Sequence, residues 1–287
     1  VTADTDARQI SRHMTGRDVE LRRIPPTVSV GTPTLEVAGL RVTGDHGVGV
    51  VHDVDLTVHA AEIVGLAGVA GNGQTELIEA IAGLRPVAAG QITLAGTAIT
   101  TAEVATRRAA GMAYIPEDRH HVGTAATASV ADNLALGFLA TPPIATRGWI
   151  DLGALAAHAR KLIGEFSIVA APDDPIQTLS GGNMQKVVVA RELAHGTPLL
   201  LAEQPTRGVD IGSIEFVHAQ LRAYRDAGGA VLLVSAELSE IQSLATRILV
   251  MFEGRIVAEL DPEQVSEAEI GLHMTGAGSA VGGHADA

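Results

Sequence analysis

Leu179-Ser-Gly-Gly-Asn183, followed without a break by Met184-Gln-Lys-Val-Val-Val-Ala-Arg-Glu-Leu193, is the stretch on which the reading of the fold turns. A serine ahead of paired glycines marks a helix start, because its hydroxyl can accept from a backbone N–H in the first turn. Nothing after Met184 stops the helix until Gly196, and the spacing predicts a helix from about Met184 to His195. The first N–H groups of a helix have no intrahelical acceptor, so Ser180, Gly181, Gly182 and Asn183 sit where an anion is attracted. The plainer reading of the stretch is a serine-capped helix after a glycine turn. The flanking segments decide between the two.

Downstream, Leu199-Leu-Leu-Ala-Glu203-Gln204-Pro-Thr-Arg-Gly-Val-Asp210 is a short apolar strand ending in polar residues and a turn, and Leu232-Leu-Val-Ser-Ala236-Glu-Leu238 is a second strand end. Upstream, Gly68-Val-Ala-Gly71-Asn72-Gly73-Gln74-Thr75 lies between a predicted strand at Glu62 to Ala67 and a predicted helix from Thr75 to about Leu84. It fits the phosphate-loop pattern G-x-x-x-x-G-K-[ST] except at one position. Glycines let successive N–H groups face a phosphate, and the helix start adds a favourable dipole. The Thr75 hydroxyl is a candidate Mg²⁺ ligand. Gln74 stands where the pattern has lysine, and an amide donates hydrogen bonds without neutralising phosphate charge. Taken alone, this loop reads equally as a bare glycine turn.

Together these stretches resemble the ATP-binding cassette (ABC) family, whose signature is LSGGQ, and the likeness runs from about residue 34 to 276. Asn183 replaces the signature glutamine. The resemblance implies an α/β fold with a P-loop (RecA-like) core, an antiparallel β subdomain and a helical subdomain, and it implies ATP and Mg²⁺ as cofactors. Carried over position by position, Gly68, Gly71, Asn72, Gly73, Gln74 and Thr75 form the phosphate loop. Glu203 falls where the family has its Mg²⁺-organising aspartate. Gln204 falls where it has the catalytic glutamate, and Asp210 matches the D-loop aspartate. Ala236 takes the place of the switch histidine. Tyr114-Ile-Pro-Glu117-Asp-Arg119 matches the Q-loop, with Glu117 for glutamine. The usual adenine-stacking aromatic has no counterpart, since residues 41 to 52 contain no Phe, Tyr or Trp.

Lysine, catalytic glutamate and switch histidine are thus all replaced, while the glycine loop, the signature and Asp210 remain. Phosphoryl transfer depends on positioning and charge neutralisation, so the resemblance implies an ATP site nearly unable to hydrolyse. Cassettes of this family pair head to tail, each ATP lying between one domain's glycine loop and the other's signature. Ser180, Gly181, Gly182 and Asn183 would then complete the partner's site. Ala67-Gly-Val-Ala-Gly-Asn-Gly-Gln-Thr-Glu-Leu77, the Glu117-Asp-Arg119 turn and Gln204-Pro-Thr-Arg-Gly208 look like the second cassette of simple-sugar or nucleoside importers, which carry two cassettes on one polypeptide. Implied partners are the first cassette of the same polypeptide, transmembrane permease subunits and, indirectly, a substrate-binding protein, at the cytoplasmic face of the membrane. The permease-coupling surface is expected between Glu117 and Leu136, with the apolar stretch Val130 to Leu136 contributing to it.

An internal repeat points the same way. Ile10-Ser-Arg-His-Met-Thr-Gly16 recurs as Ile270-Gly-Leu-His-Met-Thr-Gly276, so residues 1–20 read as the tail of a preceding, similar domain. Residues 21–33, with Pro25-Pro26, read as a linker, 34–276 as the cassette with a helical subdomain at about 120–196, and 277–287 as a disordered tail. Short apolar strands alternate with helices along the cassette, which implies an α/β core. Hydrophobic residues make up 46% of the chain and aromatics 2%, so that core is aliphatic. A net charge of -13 with no basic stripe argues against nucleic acid as a partner. The single tryptophan, Trp149, is expected to pack inside the helical subdomain, and His120-His121 to lie in a solvated loop. Two other readings compete: a purely structural cassette that no longer binds ATP, and a soluble cassette protein of translation or DNA repair. The second lacks the tandem pattern. The signature and D-loop exclude an ordinary P-loop kinase.

Overall fold

A computed structural model describes residues 23–277. The first copy of the repeat, the segment 1–20 and residues 278–287 of the expected tail lie outside the described residues. In chain order the strands are β1 (Pro33–Thr43), β2 (Gly49–His59), β3 (Ile63–Ala67), β4 (Val87–Leu94), β5 (Thr97–Ala98), β6 (Met112–Ile115), β7 (Ala145–Thr146), β8 (Trp149–Ile150), β9 (Leu199–Glu203), β10 (Ala230–Val234), β11 (Arg247–Phe252) and β12 (Arg255–Leu260). The helices are α1 (Gln74–Ala82), α2 (Val104–Ala109), α3 (Val130–Ala135), α4 (Leu152–Glu165), α5 (Gly181–Ala194), α6 (Ile211–Asp226), α7 (Leu238–Leu244) and α8 (Glu267–Met274). These elements form two compact units, one of residues 23–114, 197–204 and 220–277, the other of residues 115–196 and 205–219.

The first unit is built on sheets. One runs β12-β11-β3-β10-β9-β6, with β11, β3, β10 and β9 mutually parallel and β12 antiparallel at the edge. Every residue of β3, β9 and β10 is buried, as expected of parallel strands covered on both faces. Gly65 marks how closely a helix covers that sheet, since a Cβ there would come 2.7 Å from Ile241 Cγ2 of α7. The second sheet, β2-β1-β4-β5, is antiparallel. Leu35, Leu40 and Leu94 from it pack with Leu66, Ile81 and Leu232 in one aliphatic core.

The second unit is helical. Its core gathers Leu134, Leu155, Leu162, Ile176 and Val187 from α3, α4, α5 and the turn before α5. Ser129 and Asp132 form a capping box at α3, and Asp151 accepts from Ala154 N at the start of α4. Val130, Ala131, Leu134 and Ala135 lie in this core, so the apolar stretch expected to contribute to a coupling surface is instead interior packing. Trp149 also departs from expectation. It is 83% exposed on the β7–β8 hairpin, whose turn residues Arg147 and Gly148 both have positive φ. Trp149 pairs with Thr146 across this two-stranded ladder, with no further strand against it. The signature helix likewise begins at Gly181, three residues before Met184, because Ser180 is itself the N-cap. Helices α2 and α8 and strands β5, β7 and β8 were not legible from sequence periodicity, being too short or too mixed in polarity.

Arg107 shows how the sheet unit is tied together. Buried to 3% exposure, its guanidinium donates to the carbonyls of Ala102 (2.8 Å), Ala80 (2.7 Å), Ile81 (2.7 Å) and Thr100 (2.8 Å). Two of these carbonyls lie in the last turn of α1, where Ala80 O also accepts from Gly83 N at 3.2 Å. Gly83, the C-cap, has φ +83, and a Cβ there would sit 2.8 Å from Arg107 Nε. Arg107→Met should therefore take a donor away from all four carbonyls and lower unfolding free energy by on the order of 3 kcal/mol. Urea unfolding of the two forms measures it, and a loss under about 1 kcal/mol would show that water replaces the guanidinium.

Candidate functional site

The loop between β3 and α1 is held from below by the β11–β12 turn. Glu253 N donates to Asn72 Oδ1 (2.9 Å) and Gly254 N to Asn72 O (3.1 Å). Gly73 is the N-cap of α1 at φ 99, where a Cβ would come 2.5 Å from Val50 O. Gly71 has φ +87, with open space where a Cβ would lie. The loop is therefore glycine-dependent for two reasons, close packing beneath Gly73 and backbone conformation at Gly71. Gln74 is 7% exposed and folds back over the loop, its Nε2 2.0 Å from the place a Cβ on Gly68 would occupy. The amide fills the loop without bringing a charge to it.

Parallel pairing aligns two strand ends beside this loop. Val234 pairs with Leu66 on β3 and with Glu203 on β9. Glu203 is 3% exposed and accepts from Tyr114 Oη at 2.7 Å. Burial pushes its carboxyl above the ordinary range, while the hydroxyls of Tyr114 and Thr75 pull back towards the ionised form. Burial also raises the Tyr114 phenol, so Tyr114 is the donor. Glu203 Oε1 is buried and makes no well-formed hydrogen bond. A buried, unmatched carboxylate oxygen beside a threonine hydroxyl fits Mg²⁺, which takes one or two protein oxygens and completes its shell with water and phosphate. No cluster of three or more His, Cys, Asp or Glu side chains that could cage a metal exists among the described residues.

Gln204 follows Glu203 at φ 46, a left-handed conformation for a non-glycine residue. Its N–H donates to Val234 O at 2.8 Å, and its Oε1 accepts from Ala236 N at 3.0 Å. Gln204 and Ala236 are thus bonded to each other. An amide tied this way cannot take a proton from water, and Ala236 carries no side-chain donor.

The remaining candidates belong to the helical unit. Ser180 Oγ accepts from Asn183 N (3.4 Å) and Nδ2 (3.1 Å), so its own proton points elsewhere. Asn183 Oδ1 accepts from Val169 N at 2.9 Å, which makes Asn183 an anchor for the loop before α5. Asp210 accepts from Ser213 N (3.0 Å) and Ser213 Oγ (2.7 Å) at the start of α6, and the Ser213 hydroxyl above all holds its carboxyl below the usual range. A Cβ on Gly182 would lie 2.4 Å from Asp210 Oδ2 and 2.2 Å from Ser213 Oγ, so only glycine fits. Glu117 forms an ion pair with Arg207. Two residues of this site were not assigned roles from the sequence. Tyr114 and Arg119 both lie in the Q-loop stretch, but their partners are 89 and 88 or 89 positions away.

The raised Glu203 carboxyl gives a pH signature. Its folded pKa lies above the unfolded one, so its contribution to stability is full below the unfolded value and is lost as pH rises through the folded value. Thermal unfolding without metal, from pH 4.5 to 8, should show wild type losing stability relative to Glu203→Gln as pH rises. Parallel curves would mean that Glu203 is not desolvated in solution.

Residues 51–207 match the family described as ABC transporter. The chain is 42% identical over 275 residues to the guanosine import ATP-binding protein NupO of Bacillus subtilis, covering 95% of this chain and 54% of that protein. It is 41% identical over 282 residues to a glucose import ATP-binding protein of Haloferax volcanii, covering 97% and 51%. The chain thus spans about half the length of the curated relatives it matches. Among solved structures, an ATP-binding subunit of an ABC transporter superposes with a TM-score of 0.70 at 22% identity, over 84% of this chain and 99% of that one. The glycine loop, the buried carboxylate at the strand end and the serine-capped signature helix are the sequence and structure of one family: the chain belongs to the ATP-binding cassette (ABC) transporter family.

Proposed function

We propose that this chain is the second cassette of a tandem ATP-binding protein energising import of a nucleoside or simple sugar, and that its own ATP site is degenerate. The observation that carries the degeneracy is the bond from Ala236 N to Gln204 Oε1 at 3.0 Å. It fixes an amide where a cassette needs a base and occupies the acceptor that would face water. Gln74 adds to this by leaving the phosphate loop without a cation. The loop keeps its glycines, Thr75 and Glu203, so weak binding of ATP·Mg²⁺ is retained. Losing one preorganised stabiliser typically costs ~10²–10³ in rate, and such losses combine without adding. Hydrolysis then takes place at the partner cassette, whose ATP is completed by Ser180, Gly181, Gly182 and Asn183 of this chain.

The tandem arrangement is supported by the 54% share of the guanosine import protein that the chain spans, and by the recurrence of His-Met-Thr-Gly at 13–16 and 273–276. Relatives named for guanosine, nucleoside, glucose and ribose import support the cargo class. The proposed partners are the first cassette, permease subunits and a substrate-binding protein, with the chain peripheral at the cytoplasmic face. No described helix is long and apolar enough to cross a membrane. The second reading, a structural cassette that no longer binds ATP, rests on the same missing cation at Gln74.

The reconstituted transporter separates these roles. Gly181→Asp should abolish ATP turnover, while Gln204→Ala should leave most of it. Equal damage from both changes would make this chain's own site the catalytic one. Gln74→Lys should tighten ATP binding to this site without restoring its turnover. Calorimetry that detects no binding at millimolar ATP in either form would favour the structural reading.

A further inference from the structure

The turn after β6 is fixed with unusual thoroughness. Asp118 Oδ1 accepts from the N–H groups of His120 (2.9 Å) and His121 (3.0 Å), and His121 Nδ1 lies 2.8 Å from Oδ2. Asp118 O accepts from Gly123 N at 2.8 Å, and Thr124 Oγ1 donates to Arg119 O at 2.8 Å. A Cβ on Gly123 would come 2.8 Å from Arg119 Cα, so the turn closes tightly around Arg119. All of this holds the base of one side chain. Its guanidinium forks onto successive carbonyls of the segment after Gln204: Nη1 donates to Arg207 O (2.7 Å) and Nη2 to Gly208 O (3.1 Å). Gly208 has φ +65, a conformation that turns its carbonyl without Cβ strain. Glu117, two residues earlier, pairs with the Arg207 side chain.

The signature helix starts against this fork. A Cβ on Gly181 would lie 3.0 Å from Arg119 Nη2 and 3.4 Å from Gly208 O. One residue on, Gly182 lies against Asp210 and Ser213. The first turn of α5 is therefore seated against this fork, and Arg119 is the side chain that bridges the 118–123 turn to the Arg207 and Gly208 carbonyls. A planar fork can hold two carbonyls at once, and a lysine ammonium on a flexible stem cannot reproduce that geometry.

We propose that Arg119 is a positioning residue for ATP hydrolysis: it locks the Arg207–Gly208 backbone and thereby sets where Ser180 and Gly181 present themselves to a phosphate on the partner cassette. This rests on the reading that the signature of this chain completes the partner's site. It assigns a further role to the same turn, linking its conformation to the signature through one side chain. Reaction rates are sensitive to displacement of a donor by about 1 Å, at a cost near 10²-fold. Ground-state ATP is gripped mainly by the partner's own loop, so loss of the fork acts on kcat and spares KM.

The test is ATP turnover by the reconstituted transporter carrying Arg119→Lys, a change that retains charge and stem. It should lower kcat by about 10- to 100-fold while KM for ATP stays within about twofold and the melting temperature stays at wild type. Arg119→Ala should lower kcat at least as far. A kcat for Arg119→Lys within about twofold of wild type overturns the proposal, as does a loss that follows melting temperature alone. Gly181→Asp run beside it separates the two levels. If Gly181→Asp abolishes turnover and Arg119→Lys does not, the fork is dispensable and the signature reading stands. If Gly181→Asp leaves turnover intact, the signature reading falls, and the role of Arg119 falls with it.

Discussion

Parallel pairing of β3 with β10 and of β10 with β9 is the constraint from which the phosphate-loop site follows. Because Val234 is in register with both Leu66 and Glu203, three strand ends arrive at one level. The chain leaving β3 becomes the glycine loop, the chain leaving β9 becomes Gln204, and the chain leaving β10 becomes Ala236. A slip of one residue would turn every side chain to the opposite face. The unbroken burial of these strands makes such a slip costly, so the geometry of the loop inherits the rigidity of the core.

Within that frame two neutral amides stand beside the glycine loop. Gln74 folds over Gly68, and Gln204 accepts from Ala236 N. The Gln204 amide satisfies a backbone N–H beside the loop, and the Gln74 amide fills the space over Gly68. Glu203 remains the one acidic group of the set, and Tyr114 keeps its carboxylate oriented.

The helical unit uses close approach of backbone. Gly182 admits the Asp210 carboxylate and the Ser213 hydroxyl to a distance no other residue allows, and Gly123 does the same for the Arg119 turn. Polar groups that in isolation would be loop decoration become fixed, because close backbone approach brings specific partners within reach. Asn183 is an instance: its amide is engaged with Ser180 and Val169, which leaves the serine hydroxyl as the polar group at the helix start.

The amino-acid sequence by itself determined the fold class and the placement of the motifs. Glycine spacing from Gly68 to Gly73, the apolar runs at Leu199 and Ala230, and serine before paired glycines at Ser180 are local signals, each readable from a few neighbours. Sequence also set Gln74, Gln204 and Ala236 apart from the pattern of the resembling family, because the residues around them match it. What it left open was every property that depends on residues far apart in the chain. Only the tertiary structure paired Tyr114 with Glu203, Gln204 with Ala236 and Arg119 with Arg207 and Gly208. It also placed Trp149 outside, against the expectation from its apolar ring, and Val130 inside, against the coupling surface that the resemblance implied. A short hairpin can hold an aromatic away from the core, and a six-residue helix such as α3 buries whichever face its neighbours cover. Hydrophobicity states how much a side chain gains from burial, whereas which side chains are buried is settled by the elements that pack around them.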